Sequence, residues 1–324
     1  MHIVTGSDEN YVTGVAVLIA SVARFDPGTE FTVLDHGISP RGRDMLQAVA
    51  RRIGCPVTVL PVDPARLEGV RRQENSYITP ASYLRVLIPE MLPHLSRVIY
   101  MDCDMLAVRS IAGIWAADLA GSPVAAVRDA GVLRSKPEEL IALDLPADAY
   151  FNSGLLVMDL DLWRSEGIAD ACLDWARHPD RETCFADQSA LNHVLRGRVK
   201  WLEATWNLLL IVVEQELREG RDLPDDWRPG VLHYCGQHKP WAATVFLGEI
   251  WQAHAAALAG LIPAPVERRL SLRDRLRLLE RRRRRVFGLL LRRRKYLMQR
   301  QAERITRDRI IAPCLAALKA PPPV

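Results

Sequence analysis

A chain of 324 residues, 49% hydrophobic and 25% charged, has the composition of a soluble α/β protein with an appendage, and can bury one large core or two smaller ones. No run of about 18 uncharged apolar residues predicts a membrane span, and Met1-His2-Ile3-Val4 lacks the basic start and apolar stretch of a secretory signal. The net charge of +4 is divided: residues 267–309 carry 18 Lys/Arg against 5 Asp/Glu, leaving 25 against 34 elsewhere, so an acidic body bears a basic tail. The six cysteines are widely spaced, without metal-finger spacing, which predicts free thiols in a reducing compartment.

The first residues, Met1–Gly6, predict a strand, followed by the polar turn Ser7-Asp8-Glu9-Asn10-Tyr11 and a helix carrying Val15, Val17, Leu18 and Val22. Strand, polar turn and helix form the layout of a nucleotide site at the carboxyl end of a strand in an open α/β sheet, although Gly6 and Gly14 lack dinucleotide-fingerprint spacing. Asp8 and Asn10 suit either a base edge or helix capping, and Tyr11 suits stacking. Further strands are predicted at Phe31–Asp35 and Val57–Val62, with an amphipathic helix over Ser39–Arg52 between them. This alternation argues for a mostly parallel sheet covered on both faces. Residues 63–79 read as irregular and Ala81–Ile88 as a helix, with Arg85 as either a surface residue or a guard at the floor of a site.

The stretch Arg97–Val108 is the most informative. An apolar strand runs straight into Asp102-Cys103-Asp104, where alternation turns both carboxylates to one side. Two such charges beside apolar flanks repel each other unless a hard divalent cation lies between them; the competing reading is a solvated acidic turn. A short helix over Ile111–Leu119 and a strand at Val124–Val127 ending in Arg128-Asp129 follow, then loop over 130–149. Asn152-Ser153-Gly154 predicts a tight turn before the strand Leu155–Asp159. Helices are expected over Leu162–Ala176 and Asp187–Leu195, and Asp187 is well placed as a cap for the second. Near the end of the body, a strand delivers His233, Gly236 gives backbone freedom, and Lys239-Pro240-Trp241 supplies a charge and a fixed turn. A lone histidine after a strand suits a hydrogen-bonded core position, or, with two carboxylates, a manganese-type site, and Lys239 with the Gly236 amide suits a phosphate.

In order and spacing, these segments resemble the retaining glycosyltransferases of family 8, which include glycogenin and the bacterial lipopolysaccharide galactosyltransferases. The resemblance runs from residue 1 to about 260. It rests on Asp8-Glu9-Asn10-Tyr11, Ser82-Tyr83-Leu84-Arg85, Tyr100-Met101-Asp102-Cys103-Asp104, Phe151-Asn152-Ser153-Gly154, Asp187-Gln188 and His233-Tyr234-Cys235-Gly236 with Lys239-Pro240-Trp241. It implies an α/β GT-A fold, Rossmann-like, with a mostly parallel central sheet flanked by helices, over residues 1–262. It also implies a UDP-sugar donor bound through Mn²⁺, or Mg²⁺, on Asp102, Asp104 and His233. Asp8, Asn10, Tyr11, Gly236 and Lys239 would hold the nucleotide; Arg85, Asp129, Asn152 and Ser153 the sugar; Asp187 and Gln188 would face the anomeric carbon. Ser153 stands where the family usually has Ala or Gly. The activity implied is transfer of a hexose, galactose or glucose, to a cell-envelope glycan or lipid-linked glycan, with a catalytically silent nucleotide- or glycan-binding scaffold as the alternative.

Residues 263–324 read as a basic, helical C-terminal extension. Leu272, Leu276 and Leu279 share one helical face, as do Val286, Leu289 and Leu290. A basic amphipathic stretch over 268–309 fits an anionic membrane surface, which places the protein at the inner face of the cytoplasmic membrane. Nucleic acid is the rival partner, and the acidic body argues against it; the plainer readings are a disordered basic tail or a helical hairpin packed on the body.

Overall fold

A computed structural model describes residues 1–70, 80–178, 185–223, 227–264, 279–280, 283–287 and 289–320. The predicted segment 71–79, Leu272, Leu276 and Cys184 lie outside them. Among the described residues, ten strands form two sheets: β1 His2–Ser7, β2 Glu30–Asp35, β3 Val57–Pro61, β4 Arg97–Met101, β5 Met105–Ala107, β6 Val124–Arg128, β7 Phe151–Asp159, β8 Val199–Trp201, β9 Leu208–Leu209 and β10 Val231–His233. The main sheet has seven strands in the order β3-β2-β1-β4-β7-β6-β8, and a three-stranded sheet has the order β5-β10-β9. In the main sheet only β7 runs against its neighbours.

Alternate residues of the central strands feed two apolar layers. Ile3, Val33, Ile99 and Val157 enter one with the helix Val12–Phe25; Val4, Leu34, Val98 and Leu156 enter the other with Trp163. Burial on both faces explains why β4 and β7 read as continuous apolar runs. The helix Pro40–Ile53 forms where expected. Ser39 Oγ accepts from the Gly42 N–H at 3.0 Å, Pro40 opens the first turn, and Gly54 closes the helix at φ +75°.

Five expected elements differ. Ala81–Ile88 is a 3₁₀ helix over Pro80–Leu87 with one α turn to Met91, because Pro89 has no N–H to bond the Arg85 carbonyl. Residues 130–149 are not loop throughout. Short helices occupy Ala130–Ser135 and Pro137–Ala142, the first capped by Asp129, whose carboxylate accepts from the Gly131 and Val132 N–H groups. The helix expected at Ile111–Leu119 spans only Ala112–Trp115. That over Leu162–Ala176 breaks into Leu160–Ser165 and Ile168–Arg177 at Gly167, which sits at φ +64°. Asn152-Ser153-Gly154 lies inside β7 rather than in a turn before it, because the Asp102 N–H donates to the Gly154 carbonyl at 2.8 Å and extends the β4–β7 contact.

At the C-terminus, the helix Arg294–Ile305 continues through a π-helical turn at Thr306–Ile311 into the helix Ala312–Lys319. Ile305, Ile310 and Cys314 are buried in the layer that holds the helix Val12–Phe25. Arg24 donates to the Leu318 and Ala320 carbonyls, and Arg309 to the Leu223 carbonyl. No helix among the described residues is long and apolar enough to cross a membrane. The carboxyl ends of β1, β4, β6 and β10 and the start of β7 meet at one edge, beside the β1/β4 switch in strand order, where open α/β sheets bind ligands.

Candidate active site

A cleft of about 420 Å³ opens at that edge. Thirteen of the residues expected at a site line it: Asp8, Tyr11, Arg85, Asp102, Asp104, Asp129, Asn152, Ser153, Asp187, Gln188, His233, Gly236 and Lys239. Asn10 does not. It is exposed, and its backbone N–H is bonded to Asp8 Oδ1 at 2.9 Å in the turn that Asp8 caps. Asp8 therefore both caps and lines the cleft. Tyr11 packs edge-on against Trp241, with centroids 5.8 Å apart.

The turn after β4 and the end of β10 bring Asp102, Asp104 and His233 together, with one possible ligand atom from each within 4.8 Å of the others. His233 Nε2 lies 3.3 Å from Asp104 Oδ1 and 3.9 Å from Asp102 Oδ2. The remaining polar atom of each side chain is held from behind. Asp102 Oδ1 accepts from the Tyr100 hydroxyl at 2.7 Å and pairs with Arg85 at 2.9 Å. Asp104 Oδ2 pairs with Lys239, and His233 Nδ1 meets Asn207 Oδ1 at 2.9 Å. Burial would raise the Asp104 carboxyl, but Lys239 and His233 beside it hold it well below the usual carboxylate range. Two carboxylate oxygens and one imidazole nitrogen form a donor set that could hold a divalent metal ion. The space they enclose depends on Gly154: a Cβ there would stand 2.6 Å from His233 Cε1 and 2.8 Å from Asp102 Oδ2.

Arg85 is buried, not a surface residue. Its guanidinium lies 4.5 Å from the Tyr100 ring centroid, and its Nε sits 3.0 Å from Asp187 Oδ2. Asp187 opens the helix Asp187–Val194, but it is not the cap; Ala186 holds that position at φ +48°, a strained setting for a residue with a Cβ. The Asp187 carboxylate bonds Arg85 and Ser153 Oγ instead, and burial raises it against the pull of Arg85. Gln188 Oε1 accepts from the Ser153 N–H at 3.0 Å, while its amide group donates to Asp129 Oδ2 at 3.2 Å. Lys239, expected at a phosphate, lies against Asp104 and also donates to the Tyr234 carbonyl.

Asn207 and Tyr100 hold site residues in place, although the motifs assign neither of them a role. Asn207 precedes β9, and β9 pairs with β10 so that Leu209 faces His233, a register invisible in the sequence. Tyr100 reads as one more apolar strand residue, although its hydroxyl serves Asp102.

Comparison with known proteins agrees with this geometry. General stress protein A of Bacillus subtilis (strain 168) is 33% identical over 254 residues, covering 74% of this chain and 87% of that protein. The lipopolysaccharide 1,3-galactosyltransferase of Salmonella typhimurium (strain LT2) is 26% identical over 247 residues, covering 74% and 72%. Among solved structures, galactosyltransferase LgtC in complex with donor and acceptor sugar analogs superposes with a TM-score of 0.71 and 27% identity, covering 81% of this chain and 98% of that one. Residues 2–245, which include every residue of the cleft described above, match the family described as Glycosyl transferase family 8, and the chain belongs to that family.

Proposed function

We propose that this glycosyltransferase moves a hexose, galactose or glucose, from a UDP-sugar to a cell-envelope glycan with retention of anomeric configuration, and that it requires Mn²⁺ or Mg²⁺. The observation that carries the reading is the convergence of Asp102, Asp104 and His233 on the wall of the cleft that Asp187 and Gln188 also line. An ion held by those three side chains would supply Lewis-acid charge to the diphosphate leaving group. Lys239 and the Gly236 amide would hold the diphosphate, and Asp8 and Tyr11 the uridine; Asn10 is exposed and does not line the cleft. Arg85, Asp129, Asn152 and Ser153 would line the sugar pocket. Arg85 keeps Asp187 and Asp102 apart in charge while fixing both carboxylates. Asp187 and Gln188 would face the anomeric carbon as positive charge develops there. Retention then follows either by attack of Asp187 or by same-face attack of the acceptor, whose proton passes to the departing phosphate.

A screen of UDP-sugars with Mn²⁺, reading released UDP, tests the reaction. Turnover of UDP-galactose or UDP-glucose that stops with chelator is the expected result, with Asp187→Asn losing nearly all transfer while still binding UDP. If no donor releases UDP, and UDP binds equally with and without Mn²⁺, a silent nucleotide-binding scaffold is the better account.

The acceptor class directs attention to residues 268–309. Val286, Phe287, Leu290 and Leu291 are exposed between Arg283–Arg285 and Arg292–Arg294. Such a stretch suits an anionic lipid surface, with each basic residue contributing about 1 kcal/mol. On this reading the enzyme works as a peripheral protein on the inner face of the cytoplasmic membrane.

A further inference from the structure

His233 reaches the three-ligand cluster through one ring nitrogen, and what holds the other decides which nitrogen that is. Nδ1 faces Asn207 Oδ1 at 2.9 Å, and Asn207 Nδ2 faces Asn152 Oδ1 at 2.8 Å. Asn152 Oδ1 also takes the Gly154 backbone N–H at 3.0 Å, and Asn152 Nδ2 meets Asp129 Oδ2 at 2.9 Å. All four side chains are buried. The oxygen and nitrogen of a side-chain amide are usually interchangeable in a structure, but here the chemistry of the ends removes the choice. A backbone N–H only donates and an ionised carboxylate only accepts, so Asn152 has one orientation, required independently by Gly154 and by Asp129. Asn152 Oδ1 then needs a donor from Asn207, which turns Asn207 Oδ1 toward the imidazole. An amide oxygen accepts, so Nδ1 must carry a proton and Nε2 faces Asp104 and Asp102.

We propose that Asn207 is a positioning residue for the metal site: it fixes the ring of His233 with Nδ1 protonated, presents Nε2 as the ligand, and takes its own orientation from Asp129 through Asn152. The inference rests on the metal reading proposed above. Outer partners of this kind are worth about 10–100-fold in metal affinity, because an imidazole free to turn must be ordered as the ion binds. The relay also joins the residue expected at the sugar to a ligand expected at the diphosphate, so both ends of the donor meet one hydrogen-bonded frame.

Two readouts on the full chain test it. In metal-free protein labelled with ¹⁵N at histidine, the Nδ1–H of His233 is expected as a one-bond correlation protected from water, lost in Asn207→Leu and kept in Asn207→Asp, which retains the acceptor for Nδ1 while giving up the donor to Asn152 Oδ1. Calorimetry with Mn²⁺ is expected to show a roughly 10–100-fold weaker Kd for Asn207→Leu and a partial recovery for Asn207→Asp, which holds Nδ1 but loses the bond to Asn152. Saturating Mn²⁺ should return UDP binding to the Asn207→Leu variant, which a variant with a collapsed cleft would not show. Equal Mn²⁺ affinity and an unchanged Nδ1–H signal in Asn207→Leu would overturn this proposal alone. Failure of the unaltered chain to bind Mn²⁺ would overturn the metal reading and this proposal with it.

Discussion

The cleft and the basic C-terminal segment treat charge in opposite ways. In the cleft, Asp102, Asp104, Asp187, Arg85, Lys239 and His233 are drawn from well-separated parts of the chain, and each is held by a defined partner. Charges taken out of water are tolerated only in such company, so the arrangement is specific and unforgiving. Over residues 283–287 and 289–294, Arg284 and Arg285 pair with Glu280 and Glu303, and exposed arginines stand beside Phe287 and Leu290, which are 60% and 76% exposed. On the membrane reading proposed above, net charge and exposed apolar area would act there together, with no single partner required. One region is legible only as geometry, the other as composition.

Breaking the cleft should have the largest effect. Asp102→Asn removes the negative charge that pairs with Arg85 and leaves one acceptor oxygen to serve Tyr100, Arg85 and the ion; metal-dependent UDP binding should disappear and turnover fall by roughly 10²–10³-fold or more. Calorimetry with and without Mn²⁺ checks it, and a variant that binds UDP as the parent does would remove Asp102 from the site. Gly154→Ala adds one carbon where His233 and Asp102 leave no space. Its expected cost is about 10–100-fold in Mn²⁺ affinity, with the melting temperature showing whether the fold is spared.

The basic segment should respond more gently. Because Ile310 and Cys314 beyond it are packed into the core, substitution tests it better than truncation. Phe287→Asp with Leu290→Asp should lower partition onto anionic liposomes by roughly tenfold or more. The residual binding should weaken further with salt, and neutral liposomes should show little binding by either protein. Equal sedimentation of parent and variant would leave the exposed apolar residues without that role.

The smallest effect at neutral pH lies at the seam between the two regions, where Arg24 grips the C-terminal helix and His254 packs near Phe25. Burial, with Arg24 close by, pushes the His254 imidazole down to about 4. The unfolded ring takes a proton near 6.5 while the folded one resists to about 4, so the unfolded state binds more protons within that window. Stability is therefore whole above about 6.5 and declines as pH falls toward 4, by roughly 3 kcal/mol at most. His254→Leu, which also removes a buried Nε2 lacking a hydrogen-bond partner, should flatten that acid limb in urea titrations. The same slope in both proteins would assign the acid sensitivity elsewhere.

Much of the fold could be read in advance because its signals are local. Apolar runs of strand length, Ser39-Pro40 before a helix and Gly54 after it follow from neighbouring residues alone. The misread stretches were also local, but subtler: Asp129 as a cap, Pro137 at a first turn, and Gly167 as a break. By itself the sequence determined the strand–helix alternation, the acidic body with its basic extension, and the residue types available for metal, phosphate and sugar. Only the tertiary structure decided that Asp187 answers Arg85 rather than capping a helix, that Lys239 lies on Asp104, and that Asn207 stands behind His233. Those pairings depend on strand register and buried hydrogen-bond direction, which join residues far apart in the chain and leave no periodic trace along it.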